Sequence, residues 1–219
     1  MGKTSKRMRQ PATKRATKGT TTKPNVKRTT KLTTTRAAAP APKQLKSGAS
    51  VPAQNAAAMF VALNAVARSH NVDPAAIAGM INTESVWDTT CVTGQYIGLM
   101  QVGPDFVQFM KLTRAQFLNL PADAQINAYD TWLDYYKFNA QMASYNITMT
   151  ALPLPEQAAV LQGMQFAPNG KAWKAALAKG DLAVRTTPTQ QAEFLGDTSI
   201  GDMQRYYGGF FKKYPPVYV

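Results

Sequence analysis

The sequence has few of the residues that crosslink proteins or bind metals. It contains one cysteine, Cys91, and one histidine, His70, in 219 residues. One cysteine cannot form a disulfide within the chain, and no apolar run approaches the roughly 20 residues that cross a bilayer. A metal-ligand cluster, a phosphate-binding loop and a flavin fingerprint are also missing. These absences exclude a disulfide framework and a transmembrane segment, and they predict that the protein needs no cofactor.

Acidic residues are absent from the first 50 positions, which hold 14 of the 25 Lys and Arg residues. The rest of the chain carries 11 basic and 12 acidic residues, so it is nearly neutral although the whole chain has a formal charge of +13. Residues 1–50 also contain almost no aromatic or branched apolar side chains, so burial cannot offset their folding entropy. We expect a disordered Lys/Arg/Thr-rich tail over residues 1–50 and one folded domain over residues 51–219.

The basic tail predicts attachment to a polyanion. Lys and Arg side chains bind phosphate-rich surfaces by releasing counterions. Nucleic acid, an anionic lipid or polysaccharide and the surface of a virion are therefore candidate partners, and a solubilising linker is the alternative. No apolar stretch follows the basic start, so we expect no signal peptide and no export by the ordinary secretory route.

A helix is predicted over residues 73–85, because its first two residues, Asp and Pro, are a good N-cap and a good first helical residue. Apolar residues recur on one face at helical spacing, and Glu84 takes the next position of that face after Ile77, Met80 and Ile81. A carboxyl group among apolar neighbours loses hydration, which raises its pKa and favours the protonated form of a general acid. A structural ion pair with a basic residue is the alternative role for Glu84.

The residues that follow carry a family resemblance. Glu84-Ser85 leads through Thr93 to the segment Gly98-Leu99-Met100-Gln101-Val102. These motifs resemble those of the soluble lytic transglycosylases, which have goose-type lysozymes as near relatives, and the resemblance covers roughly residues 55–180. It implies a mainly α, lysozyme-like domain in which the Glu-Ser motif ends a central helix. A small β-hairpin should follow, and the Gly-Leu-Met-Gln segment should line a sugar groove opposite the acid.

The resemblance also implies the roles of individual residues. Glu84 is the predicted catalytic residue. The predicted substrate-binding residues are Ser85, Thr93, Gly98, Met100, Gln101, Gln165 and Phe166. Gly98 would let the backbone approach the substrate, and Met100 would form a soft apolar wall. Gln101 would both donate to and accept from an acetamido group or a hydroxyl.

The chain departs from the family pattern in one motif. Where the family has Ala-Tyr-Asn-Ala-Gly-Pro, residues 163–168 read Gly-Met-Gln-Phe-Ala-Pro. Gln165 could replace the asparagine amide, but Met164 cannot replace the hydrogen bond of a phenol. A tyrosine from the aromatic-rich stretch of residues 185–219 could reach the groove instead, and the sequence does not indicate which one.

His70 and Cys91 have two alternative interpretations. A His-Cys dyad would indicate a cysteine peptidase. Cys91 lies in a Thr-rich predicted hairpin, however, and not at a helix start that would lower the pKa of its thiol. We therefore interpret His70 as a helix cap or surface residue and Cys91 as a small apolar residue.

The remaining elements are predicted to support the groove. Helices are expected over residues 53–69, from Pro104, from Pro121 through residue 145, from Pro155 with an interruption near Pro168, and over residues 199–211. The aromatic stripe of the helix after Pro121 could stack on sugars, but its spacing favours core packing.

The distribution of carboxyl groups predicts the reaction. Hydrolytic glycosidases use two carboxyl groups on opposite sides of the bond, whereas Gly103 stands where goose-type lysozymes have an aspartate. The resemblance therefore implies a lytic transglycosylase that cleaves the N-acetylmuramic acid–N-acetylglucosamine bond of peptidoglycan, leaving a 1,6-anhydro product. The basic tail and the missing signal peptide suggest that it is a bacteriophage protein, carried in the virion and acting in the host periplasm. The alternatives are a hydrolytic lysozyme and a structural virion protein that binds glycan or nucleic acid without catalysis.

Overall fold

The computed structural model of the protein describes residues 43–166 and 200–219, which belong to one compact unit, Ala39–Val219. Helices account for most of these residues, and the expectation of a mainly α fold with a small β-hairpin is confirmed. Across the described ranges, every helix is too short or too polar to cross a bilayer.

The α-helices in the described ranges are α1 (Ala56–His70), α2 (Pro74–Ser85), α3 (Pro104–Phe109), α4 (Arg114–Leu118), α5 (Ala122–Tyr135), α6 (Phe138–Ser144), α7 (Leu154–Phe166) and α8 (Ile200–Lys213), and a 3₁₀-helix covers Met149–Ala151. The strands are β1 (Leu45–Ser47), β2 (Val92–Thr93), β3 (Tyr96–Ile97) and β4 (Val217–Tyr218). They form two separate antiparallel pairs, β1 with β4 and β2 with β3.

Helix α2 is the centre of the domain. It begins as predicted, because the Asp73 side chain accepts a hydrogen bond from the Ala75 N–H at 2.9 Å. Every residue in the first two turns, 74–81, is buried, and α1, α7 and α8 all pack against the helix. A Cβ atom at Gly79 would lie 2.9 Å from the Phe211 ring, so this glycine allows α8 to pack closely on α2.

The folded part includes residues that were predicted to belong to the tail. β1 pairs with β4, and the Leu45 side chain is only 2% exposed. The Tyr218 hydroxyl, on β4, lies 2.9 and 2.8 Å from the two carboxyl oxygens of Asp73, so this strand pair is attached to the start of α2. The predicted tail boundary at residue 50 is therefore too late, since Leu45 is an apolar anchor within an otherwise polar run.

The helix predicted from Pro121 to residue 145 is divided in two. Lys137 has φ +54° and separates α5 from α6. A side chain in this left-handed conformation cannot continue a helix. The predicted core role of the aromatic stripe on α5 is confirmed for Tyr129 and Trp132, which are both buried.

The β2–β3 hairpin is followed at once by the Gly-Leu-Met-Gln segment, which folds back onto it. Ile97 and Val102 exchange backbone hydrogen bonds of 3.1 and 3.0 Å. Gln125 of α5 holds this loop from beneath, because its amide oxygen accepts from the Leu99 N–H at 2.9 Å and its NH₂ group donates to the Thr89 carbonyl at 2.9 Å. A fully buried amide thus satisfies backbone groups that the irregular loop leaves unpaired.

The structure gives Gly98 a different role from the predicted one. This residue is buried and has φ +75°, a conformation that favours glycine. A Cβ atom here would lie 2.6 Å from the Gln125 amide oxygen and 2.8 Å from the Phe117 ring. The missing side chain therefore makes room for the protein's own packing and not for a substrate.

His70 was predicted to be a cap or surface residue, and that prediction is wrong. Its ring is 2% exposed and lies edge-on to the Phe138 ring. The Nε2 atom is 2.9 Å from a carboxyl oxygen of Asp130 on α5. His70 therefore links the end of α1 to α5. The structure shows no hydrogen bond between His70 and Cys91 in its described ranges, so the peptidase alternative gains no support.

Candidate active site

Glu84 lies in the last turn of α2, on the wall of a cavity of about 180 Å³. The helix ends one residue later, and its C-cap, Val86, has φ +51°. The cavity is lined by Thr83, Glu84, Thr93, Tyr96, Gln101, Gln162 and Gln165. The end of α2, the hairpin, the Gly-Leu-Met-Gln segment and α7 therefore meet at one carboxyl group.

Burial changes the acidity of Glu84. The loss of hydration raises the pKa of its carboxyl group from 4.5 to about 7, while a hydrogen bond from Gln162 acts in the opposite direction. Near neutral pH the group is therefore present in both its protonated and its ionised form. This is the range in which a side chain can act as a general acid and as a general base.

The partner of Glu84 is an amide and not a basic residue. The Gln162 NH₂ group donates to Glu84 Oε1 at 2.7 Å, and the Tyr207 hydroxyl of α8 donates to the Gln162 amide oxygen. The two salt bridges found in the described part of the chain, Lys43–Asp73 and His70–Asp130, do not involve Glu84. The structural ion pair considered for Glu84 is therefore not found. Tyr207 contacts Gln162 behind the acid but does not line the cavity.

Gln101 and Gln165 line the cavity, but their amide NH₂ groups bond the protein's own backbone. The Gln101 NH₂ group donates to the Gly98 carbonyl at 2.9 Å, and the Gln165 NH₂ group donates to the carbonyls of Met100 and Gln101. Their amide oxygens are buried and lack a partner within the described residues. Gln101 was expected both to donate and to accept, but its donor is already used by the protein.

The other predicted binding residues divide into three groups. Thr93 is exposed and lines the cavity as expected. The Ser85 hydroxyl is buried and donates to the Ile81 carbonyl at 3.2 Å, and the Met100 side chain is 1% exposed within the core. The predictions of substrate contacts for Ser85 and Met100 are therefore wrong, since the pattern did not reveal how deeply both residues are buried. The side chain of Phe166 lies outside the described residues.

A second cavity of about 290 Å³ adjoins the first and shares Tyr96, Gln101 and Gln165 with it. Asp105, at the start of α3, lines this second cavity together with Trp132 and Tyr136. In the part of the chain that the structure describes, no three His, Cys, Asp or Glu side chains lie close enough together to hold a metal ion.

Gln162 and the specific role of Tyr207 were not predicted from the sequence. Gln162 lies in a stretch of α7 whose neighbours are apolar and buried, Val160 and Leu161 before it and Met164 after it. A glutamine inside such a run was a usable signal, because a buried polar group needs a hydrogen-bond partner. Tyr207 is one of several aromatic residues on α8, and no local pattern distinguishes it from its neighbours.

Comparison of the chain with protein-family models, with curated proteins and with solved structures finds no match. The family resemblance of the Glu-Ser and Gly-Leu-Met-Gln motifs therefore remains a prediction.

Proposed function

We propose that this protein is a peptidoglycan lytic transglycosylase with a lysozyme-like catalytic domain. The observation that carries the proposal is the position of Glu84, which faces a cavity from the end of the central helix with a pKa of about 7. The hydroxyl groups of Thr93 and Tyr96 support it, because both residues are exposed and line the same cavity, where hydroxyls can bond the polar groups of a sugar.

In the first step, protonated Glu84 gives its proton to the oxygen between N-acetylmuramic acid and N-acetylglucosamine. The bond from this oxygen to C1 of the muramic acid breaks, and N-acetylglucosamine leaves as an alcohol. Positive charge develops at C1, where the acetamido group of the substrate stabilises it. Glu84 is left ionised, and the hydrogen bond from Gln162 stabilises that form.

In the second step, the C6 hydroxyl of the muramic acid attacks C1 and its proton passes to Glu84. A C6-oxygen-to-C1 bond forms, the product is the 1,6-anhydro sugar, and no water is consumed. The attacking hydroxyl belongs to the same ring, so proximity supplies much of the rate. One carboxyl group serves as acid and then as base, which matches the single carboxyl group that lines the first cavity within the described residues.

Hydrolysis by a lysozyme mechanism is the second candidate, and one observation favours it. Asp105 lines the adjoining cavity and could activate a water molecule from the other side of the bond. An Asp105→Asn variant separates the two mechanisms. A transglycosylase should keep its activity in this variant, whereas a hydrolase that uses Asp105 as its base should lose it.

Mass spectrometry of the products released from purified cell-wall sacculi tests the proposal directly. We expect muropeptides with 1,6-anhydro ends from both the wild type and the Asp105→Asn variant. Reducing ends, heavier by one water, together with loss of activity in the variant would establish hydrolysis and contradict our proposal. Intact sacculi would leave a glycan-binding or nucleic-acid-binding structural protein as the function.

We also propose that the protein is carried in a bacteriophage virion and acts on the host wall in the periplasm. The support is the basic segment of residues 1–50, which suits attachment to nucleic acid or to another anionic surface. Deletion of residues 1–42, which spares β1, should leave cleavage of a soluble glycan unchanged and remove salt-sensitive binding to DNA and to anionic vesicles. Full retention of both kinds of binding would contradict a role for this segment.

A further inference from the structure

We infer that Gln162 of α7 and Tyr207 of α8 are positioning residues that hold the Glu84 carboxyl group and present it with a fixed N–H donor. Their effect on catalysis rests on the proposed function, whereas their effect on the Glu84 carboxyl group does not. Through Tyr207, α8 would then belong to the active site, although none of the described residues of α8 lines either cavity.

The neighbours of the Gln162 amide fix its direction. An amide can present either its oxygen or its NH₂ group to a neighbour. The Tyr207 hydroxyl donates to the Gln162 oxygen, and the NH₂ group on the other side of the amide donates to Glu84 Oε1 at 2.7 Å. Both side chains are buried, with exposed fractions of 1% for Gln162 and 0% for Tyr207, so neither can turn into solvent.

The direction of the amide affects the charge state of the acid. A donor stabilises the ionised carboxylate more than the protonated form, so the amide counteracts part of the effect of burial on the pKa of Glu84. If the amide turned over, its oxygen would accept from the protonated carboxyl group and would favour that form instead. In the observed arrangement the Tyr207 hydroxyl holds the amide oxygen, and the NH₂ group can stabilise Glu84 once it has released its proton.

Competing charges are absent from the surroundings of the acid within the described residues. The titratable groups that face Glu84 are the phenols of Tyr129 on α5, Tyr207 on α8 and Tyr96 on β3. Burial raises the pKa of Tyr129 and Tyr207 well above the usual range, so both remain neutral. In the same part of the chain no Lys, Arg or His lines the cavity. Among the described residues, the Gln162 amide is therefore the neighbour that changes the pKa of the Glu84 carboxyl group.

Carbon-13 NMR of the full chain, labelled at the glutamate side-chain carboxyl carbon, measures the pKa of Glu84 without any need for activity. The sequence has three glutamates, Glu84, Glu156 and Glu193, so the signals can be assigned by single substitutions. We expect Gln162→Met, which removes the donor at similar volume, to raise the Glu84 pKa by about one pH unit. Tyr207→Phe should raise it by a smaller amount, because the amide remains but loses the hydroxyl that holds its oxygen.

The matched control is Tyr206→Phe, which removes a hydroxyl from the adjacent residue of α8. The Tyr206 side chain is 50% exposed, and we expect the titration of Glu84 to be unchanged in this variant. An unchanged or lower Glu84 pKa in Gln162→Met would overturn the inference. If that variant does not fold, Tyr207→Phe decides alone, since it removes one oxygen atom, and an unshifted titration would then reject the pair.

Cleavage assays on the same variants link the pair to the proposed function. With the pKa of Glu84 raised, the fall in kcat/KM at alkaline pH should move upward by the shift that NMR measures, and kcat should decrease because the ionised form is less stable. If NMR shows the shift but wild-type protein cleaves no wall, the inference holds and the proposed function fails. If the wild type cleaves the wall but the titration does not shift in the variants, the proposed function stands and the positioning role is rejected.

Discussion

Replacing Glu84 by glutamine should reduce wall cleavage by about 10² to 10⁴-fold, the usual contribution of a general acid. Glutamine keeps the shape of the side chain but cannot give a proton to the glycosidic oxygen or take one from the C6 hydroxyl. The measurement is the rate of release of soluble muropeptides from sacculi at pH 6, where most Glu84 carboxyl groups are protonated because their pKa is about 7.

The same substitution should make the protein more stable at alkaline pH. Below pH 4.5 Glu84 is protonated in both the folded and the unfolded chain. Between pH 4.5 and about 7 the unfolded chain releases this proton and the folded chain keeps it, so the wild type loses stability as the pH rises. The free energy of unfolding of Glu84→Gln, relative to the wild type, should therefore rise by about 3 kcal/mol between pH 4 and pH 8 in urea titrations.

Glu156→Gln is the matched control for both measurements. Glu156 lies in the first turn of α7 and lines neither cavity as described. This variant should retain wild-type cleavage and show no comparable gain in stability. Wild-type rates in Glu84→Gln would show that another group donates the proton, and a stability difference independent of pH would contradict the raised pKa of Glu84.

Gln125→Leu should lower the free energy of unfolding by about 2 to 5 kcal/mol, because it leaves buried backbone groups without partners. In the wild type the Gln125 amide bonds the Leu99 N–H and the Thr89 carbonyl, and its NH₂ group also lies 3.2 Å from the Leu120 carbonyl. Leucine has a similar volume but offers neither donor nor acceptor. The measurement is chemical unfolding followed by circular dichroism.

The control for this prediction is Gln108→Leu on α3. Gln108 is exposed and makes no side-chain hydrogen bond in the described part of the chain, so the change should alter stability by no more than about 0.5 kcal/mol. Equal effects of the two substitutions would show that the loop does not depend on the buried amide. Loss of wall cleavage in Gln125→Leu at a temperature where it remains folded would show that the loop also positions the site.

Elements with strong local signals were predictable. The start of α2 followed from an Asp-Pro pair, and its end followed from the apolar face that stops at Glu84. The hairpin followed from a short β-branched stretch with a glycine. In each case the decisive interaction lies within a few residues along the chain, as in the bond from Asp73 to the Ala75 N–H.

The roles of the groove residues were less predictable, because a motif gives an order of residues and not the direction of each side chain. Met100 and Ser85 were expected to contact substrate, yet one packs in the core and the other bonds its own helix. Gly98 was assigned to substrate approach, although the atoms that require its missing side chain belong to Gln125 and Phe117.

The sequence by itself determined which carboxyl group is placed on an apolar helix face, where most helices of the described ranges begin and where positive charge is concentrated. Local spacing, capping and composition suffice for these features. The tertiary structure decided what Glu84 contacts: an amide 78 positions away on α7, itself held by a tyrosine 45 positions further along the chain. Contacts between residues so far apart in the chain depend on how whole helices pack against each other. A short stretch of sequence does not specify that packing.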